Sequence, residues 1–329
     1  MIYNINQAEQ LSIKWPDVYF TPEYGKLVEH SDNGIWECFI FKNVIYVYLK
    51  KEIIIANKKY YDIISPYGYS GFTYLNNNQN TLKEFRIIFE DYAIKNNYIT
   101  ELIKISPFIN TQIYKSIKLP IHTKKKTYGL ELTNYSDYLK SCHKSHIRMV
   151  QKAIREKYKF IYVKFNKQFN DIFKDLYKKN MDMINANKYY YFNDSYFNEL
   201  VNCKYSYLSI IYNENTIVAM AIFFQYYPYL HYHLSCNDRS SNCLTNFLID
   251  RTIKWCIDND KKIKLLHLGG GLQDNDKLAQ FKKKIGSREF DYYIFKNIIN
   301  NKIYDKLIHS LNLVTIPTDF FPIYRKNKD

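Results

Sequence analysis

The sequence lacks most of the features that would assign it a class at once. No apolar run is long enough to span a bilayer, so no helical membrane span is expected. The first residues, Met1-Ile2-Tyr3-Asn4-Ile5-Asn6, lack the charged, apolar and small-residue regions of a secretory signal, and a cytoplasmic location is expected. The six cysteines (Cys38, Cys142, Cys203, Cys236, Cys243 and Cys256) are scattered, with no C-x-x-C pair. In a chain of 329 residues this reads as reduced thiols rather than a disulfide framework. Cys142, His143 and His146 lie close together, but a zinc site needs a fourth ligand and a better-defined spacing, so no metal is expected. There is no Walker loop and no Ser-His-Asp order, and Gly269-Gly270-Gly271 does not complete G-x-G-x-x-G.

The chain is 47% hydrophobic, with 34 Tyr and 21 Phe, enough for a sizeable core. Its length suggests two domains. Its net charge of +15 favours polyanions: nucleic acid, phosphorylated small molecules or anionic lipid. The joint abundance of Lys, Asn, Ile, Tyr and Phe also fits AT-rich coding DNA, which would make part of the basicity mutational. The densest basic region is Lys140 to Lys159.

One stretch organises the rest. Ile263–Leu268 is a short apolar run of the kind a buried strand shows. Gly269, Gly270 and Gly271 then remove every Cβ from a turn, which permits positive φ and close backbone approach. Asp274, Asn275 and Asp276 can each cap the helix that follows. Leu278, Phe281 and Ile285 are expected to mark its inward stripe, and Lys282 falls on that stripe four residues after Leu278. An inward lysine costs stability unless its charge meets an anion or a developing negative charge; otherwise it snorkels outward or pairs with a carboxylate.

Elsewhere, Thr21-Pro22 is a helix start, and strands are expected at 37–41, 44–49, 52–56 and 61–64. The loop Ser65-Pro-Tyr-Gly-Tyr-Ser-Gly71 follows, then a helix over 81–97 and a strand over 98–105. A long helix over 136–157 opens the second half, with a strand at 160–165 and helices at 166–185 and 193–202. A three-stranded meander (205–212, 216–226, 229–235) leads to a helix over 243–259, and a strand at 288–295 and a helix at 302–311 come last. The order strand, polar loop, helix, strand therefore occurs twice, over 61–105 and 229–268.

Ser65-Pro-Tyr-Gly-Tyr-Ser-Gly71, His267-Leu-Gly-Gly-Gly-Leu272 and Phe281-Lys282 resemble the FemAB-like branch of the GNAT acyltransferase superfamily. So do Arg148 with Lys152-Ala153, and the meander ending in Tyr232-His233-Leu234-Ser235. The resemblance implies an α/β (α+β, mixed-sheet) architecture of tandem GNAT-like domains facing each other across a cleft. It places one domain at 1–134, completed by 298–329, and the other at 135–297. It implies transfer of an acyl group onto an amine, the best-known members moving amino acids from aminoacyl-tRNA onto the peptide of a peptidoglycan precursor. Ordinary acetyl-CoA members carry a glycine-bearing loop that cradles the CoA pyrophosphate. The matching loop here, Cys236 to Leu244, has no glycine.

Acyl transfer to an amine needs a neutral amine, a stabilised oxyanion and a protonated leaving group. Lys282 is the candidate for the oxyanion or a donor phosphate, and His267 and His233 are candidate proton carriers. The alternative for each histidine is a hydrogen-bonded place in the core. Gly269, Gly270 and Gly271 would offer backbone N–H groups. Asp276 would orient Lys282 or only cap its helix. Tyr67, Gly68 and Tyr69 would meet a sugar ring or diphosphate, or form a packed loop. Arg148 would meet an acceptor phosphate, or lie on a solvated face. No tightly bound cofactor is expected: acyl-CoA or aminoacyl-tRNA is the donor. A sugar-nucleotide or lipid-linked glycan precursor is the acceptor, and tRNA and an anionic membrane surface are further partners. A basic nucleic-acid-binding protein without catalysis is the alternative from another class.

Overall fold

The computed structural model describes residues 1–75, 81–108, 114, 121–271, 273, 276–313 and 320–326. Leu272 and the expected caps Asp274 and Asn275 lie outside the described residues. The chain forms two compact units, Met1–Lys125 with Tyr292–Asp329, and Lys126–Asp291. The sequence reading set its boundaries at 134/135 and 297/298.

The first unit opens with β1 (Ile2–Tyr3), α1 (Ile5–Ala8) and α2 (Pro22–Asp32). Thr21 caps α2 through the backbone N–H of Tyr24, with Pro22 at the first helical position. β2 (Ile35–Phe41), β3 (Val44–Ile55) and β4 (Lys58–Ile64) form an antiparallel meander. The two strands expected at 44–49 and 52–56 are one, unbroken through Lys50-Lys51, and the chain turns at Ala56-Asn57, both at positive φ. That is the backbone a two-residue hairpin turn requires. β5 (Gly71–Tyr74) pairs with the start of β3. Helix α3 (Leu82–Lys95) then crosses over to β6 (Tyr98–Ile105), which lies parallel to β4. In α3, Leu82, Phe85, Phe89 and Ala93 are buried and Ile88 is exposed.

β7 (Ile121–Glu131) carries the chain from the first unit into the second, which starts at Lys126; it has no expected counterpart, and its first half, Ile121-His-Thr-Lys-Lys-Lys, is polar and half-exposed. The single helix expected over 136–157 is two, α4 (Tyr135–Ser141) and α5 (Lys144–Arg155). Cys142 and His143 are extended between them, and the His143 ring accepts from the Ser145 N–H as a new cap. β8 (Lys159–Lys164), α6 (Lys167–Met183) and α7 (Asp194–Asn202) follow. The meander β9 (Ser206–Asn213), β10 (Thr216–Tyr226) and β11 (Tyr229–Asn237) leads through α8 (Leu244–Asn259) to β12 (Leu265–Gly270) and α9 (Lys277–Lys284). Across the unit the strand order is β7-β12-β11-β10-β9-β8. The core gathers Leu244, Leu248, Ile253, Leu266 and Ile285 under the sheet.

The last strand, β13 (Arg288–Ile298), returns the chain to the first unit, where Tyr293–Ile298 pair antiparallel with β6. Helix α10 (Asn301–Ser310) packs Leu307 against Ile53 and Ile99. Among the described residues, no helix is long and apolar enough to cross a membrane.

Candidate active site

The second unit carries its polar groups where two parallel strands part. β11 and β12 pair only at Tyr229/Leu265, Leu230/Leu266 and His231/His267. Beyond that rung β11 continues to Asn237 on β10, and β12 continues to Gly270 on β7. A wedge therefore opens between them at their C-terminal ends. Each strand is irregular there. Phe223 pairs with Tyr232 and Ile222 with Leu234, so His233 is an extra residue bulged from β11. On β12, His267 pairs with Gly129 and Gly269 with Tyr128, leaving Leu268 as the extra residue. Bulges re-aim side chains and end pairing, which is what a site in a sheet needs. A separate cavity of about 540 Å³, lined by Tyr229, Cys256, Ile263 and Leu265, lies at the opposite ends of these strands.

Lys282 projects from α9 to the mouth of this wedge. Asp276 fixes the helix by accepting from the Ala279 N–H at 2.7 Å, and it also accepts from the Gln273 N–H. The inward stripe is Ala279, Lys282 and Ile285. Leu278, expected inside, is 45% exposed, and Phe281 is half-buried. The helix is rotated by one position because small Ala279 sits at its close approach to the sheet. Lys282 itself is only 5% exposed, and its Nζ donates to the Gly270 carbonyl at 2.6 Å. Burial pushes its pKa down from 10.5 to about 7, against a smaller upward pull from Asp276. Among the described residues no carboxylate lies within ion-pair distance of it. Of the three glycines, Gly269 uses positive φ, at +74°, and a Cβ there would stand 3.4 Å from Lys282 Nζ. A Cβ on Gly271 would collide with the Asp276 carboxylate at 2.6 Å. Gly270 supplies the accepting carbonyl.

The histidines divide in role. His267 is 2% exposed, and both its ring nitrogens are engaged, Nε2 with Thr127 Oγ1 at 2.7 Å and Nδ1 with His231 Nδ1 at 3.1 Å. Burial, then His231 and the Lys282 charge, hold its pKa well below the ordinary value, so it is neutral. Enclosed in the sheet, it braces the last rung of the fork. His233, by contrast, is half-buried on the bulge, its Nε2 at 2.6 Å from the Tyr196 hydroxyl of α7. Burial and then His231 push its pKa down to about 3. Tyr196, His231 and Thr127 were not singled out from the sequence. Only the spacing of His231 two residues before His233, on the same face of a strand, was visible there. Tyr196 and Thr127 reach the site across distances no local pattern encodes.

Arg148 is exposed on α5. Tyr67, Gly68 and Tyr69 belong to the first unit. Tyr69 is buried, with edge-on rings from Tyr19 and Tyr292, as in the packed-loop alternative. Gly68 has φ +117°, and a Cβ there would lie 2.7 Å from the Tyr19 ring, which leaves no room for a side chain. Tyr67 is half-buried, held through its N–H to Asp32 and its carbonyl to the Tyr24 hydroxyl. Near Cys142, His146 is engaged by the Tyr138 hydroxyl and by Asn246 Oδ1, each at 2.8 Å.

The loop at the end of β11, where a pyrophosphate cradle would stand, is occupied by its own side chains. Asn237 Oδ1 accepts from the Arg239 N–H and Asp238 Oδ1 from the Ser240 N–H. The Glu156 carboxylate approaches the Ser241 hydroxyl at 3.4 Å, beside the first turn of α8. Asp238 and Glu156 stand here with Arg239 and Lys152, so it is the loop's own engaged side chains, and not a net negative charge, that fill the place of a backbone cradle at this helix start.

No protein-family model and no curated relative matches the sequence. Solved structures do match the fold. FemX aligns at TM-score 0.67 with 12% identity, over 90% of this chain and 96% of FemX. L-PGS from Bacillus licheniformis aligns at 0.59 with 12% identity, over 90% and 92%. The C-terminal domain of a protein assigned as a lysylphosphatidylglycerol synthetase from Agrobacterium fabrum aligns at 0.60 with 12% identity, over 94% and 96%. This chain therefore shares its fold with FemX and with the lysylphosphatidylglycerol synthetase domain.

Proposed function

We propose that the protein is a transferase that forms an amide by moving an aminoacyl or acyl group onto an amine of a cell-envelope precursor. One observation carries the reading: the buried Lys282 amine, poised near neutrality beside the Gly269–Gly271 turn at the mouth of a forked parallel sheet. The resemblance to FemAB-like enzymes and the fold shared with FemX and with the lysylphosphatidylglycerol synthetase domain support it.

In this reading the acceptor amine attacks the acyl carbonyl carbon, and a C–N bond forms as the carbonyl oxygen becomes an oxyanion. The Lys282 ammonium faces that charge, which in turn raises the lysine's affinity for its proton. Collapse breaks the bond to the leaving oxygen. The amine gives up a proton and the leaving hydroxyl gains one; neutral His233 with the Tyr196 hydroxyl on its Nε2 is the proton-carrying pair. His267 acts through Lys282 and His231 as a positioning residue. Asp276, Gly269 and Gly271 hold the lysine's geometry.

The loop at 237–241, free of glycine and filled by its own side chains, favours aminoacyl-tRNA over acyl-CoA as donor. The acceptor is a sugar-nucleotide or lipid-linked glycan or peptidoglycan precursor, met in the cytoplasm or at an anionic membrane surface. The test is to offer the purified protein charged tRNA, or acyl-CoA, with amine-bearing envelope precursors. Consumption of charged tRNA that depends on the acceptor and on Lys282 is expected. Thiol release from acyl-CoA without use of charged tRNA would reassign the donor. Turnover unaffected by Lys282→Ala would overturn the mechanism.

A further inference from the structure

Helix α5 carries a row of cations that the chemistry above leaves unused. Lys144, Arg148, Lys152 and Arg155 recur at intervals of four, four and three residues. At 3.6 residues per turn they fall within an arc of about 80°, spread over roughly 16 Å of helix. The buried residues His146, Val150 and Ala153 lie on the opposite side. Lys144, Arg148 and Arg155 are exposed, and no carboxylate among the described residues pairs with them. The acidic groups nearby are accounted for: Glu156 lies 3.6 Å from Lys152, and Asp137 pairs with Lys140. Lys157 and Lys159 add two exposed charges just past the helix. Exposed cations elsewhere occur both ways: Lys42, Lys59 and Arg288 meet Glu84, Glu52 and Glu131, while Lys167, Lys178 and Lys277 have no acid within ion-pair distance among the described residues, so it is the alignment of four cations along one helix face that marks α5.

The row also has a direction. Its C-terminal end is tied to the loop at the end of β11, through Lys152 Nζ to Asn242 Oδ1 at 3.2 Å and Ser241 to Glu156 at 3.4 Å. A polyanion lying along α5 is thereby led to the C-terminal end of the strand that borders the wedge. The apolar side of α5 is used by the protein core, so the helix cannot turn it into a bilayer as an interfacial helix does. The exposed face holds no aromatic side chain, only Gln151 and, at its edge, Ile154.

We propose that the Lys144–Arg148–Lys152–Arg155 face of α5 is a binding surface for the phosphate backbone of RNA, the acceptor arm of the donor tRNA. The inference rests on the aminoacyl-tRNA reading, but it is tested without turnover. Binding of an uncharged acceptor-stem minihelix is followed by fluorescence anisotropy at increasing salt, for the full chain and for the triple variant Lys144→Ala, Arg148→Ala, Arg155→Ala. A control triple, Lys58→Ala, Lys59→Ala, Lys83→Ala, removes exposed cations from the first unit. The α5 variant is expected to bind at least about tenfold more weakly and to lose about two to three from the slope of log K against log salt, since each phosphate contact contributes about one. The control keeps wild-type affinity and slope. Unchanged binding by the α5 variant, or equal weakening by both variants, would overturn the proposal. So would preferential binding of the wild type to phosphatidylglycerol vesicles, lost in the α5 variant. If the minihelix binds as expected yet no charged tRNA is consumed, the surface stands and the catalytic reading fails.

Discussion

The chain builds the same β-α-β crossover twice and finishes it differently. In the first unit β4 and β6 are joined by α3; in the second, β11 and β12 are joined by α8. The first crossover is stitched shut. Past the last paired rung, Ser65 N–H donates to the Leu102 carbonyl, Lys104 N–H to Ser65 Oγ and Ser70 N–H to the Lys104 carbonyl. Its buried charge is cancelled as well. Glu101 accepts two bonds from Arg86 at 3.0 and 2.9 Å, and others from Tyr46 and Asn297. Although burial alone would raise it, Arg86 holds the Glu101 carboxyl below its usual range. The second crossover is left open, and its buried cation meets a carbonyl instead of a carboxylate. A satisfied ion pair holds a fold together; a cation left nearly uncancelled can respond to a charge that arrives later.

Four perturbations sharpen this contrast. The largest effect is expected in the closed crossover. Glu101→Ala leaves the buried Arg86 guanidinium with only the half-exposed Glu90 as its acid and should cost about 3 kcal/mol in urea unfolding, while transfer per folded molecule stays at wild-type level. Lys282→Ala should do the reverse, lowering kcat/KM by about 10²–10³ in a chain that unfolds no more easily than wild type. Gly269→Ala should cost about 1–2 kcal/mol for placing a side chain at φ +74°. It should also slow transfer by roughly tenfold as the new methyl crowds Lys282, since small misplacements at a reacting centre are expensive. A pH series gives the smallest signal. With a folded pKa of about 7 against 10.5, the unfolded chain holds a proton that the folded chain lacks between those values. Lys282 therefore destabilises the fold most fully below pH 7, and stability rises with pH across that window. Lys282→Met should flatten that part of the curve.

Much of this was legible in the letters. The repeated strand-loop-helix-strand order, the glycine turn and the inward spacing of Lys282 follow from local periodicity and turn chemistry. What escaped depends on contacts remote in sequence. The rotation of α9 that turns Leu278 outward answers to Ala279 packing on the sheet. The break at Cys142-His143 is hidden in a pattern that reads as one amphipathic helix. Tyr196 reaches His233 across 37 residues and Thr127 reaches His267 across 140, so neither partnership leaves a local trace. The tyrosines of the Ser65–Gly71 loop look exposed by their glycine neighbours, yet Tyr69 is packed by Tyr19 and Tyr292.

The state of one amine decides between a poised cation and an ordinary surface lysine. NMR titration of ¹³Cε-labelled lysine, with the Lys282 resonance assigned by its loss in Lys282→Met, reads that state directly. A midpoint near 7 in the free protein, rising when donor is added, is the predicted result. A midpoint near 10.5, unmoved by donor, would contradict it.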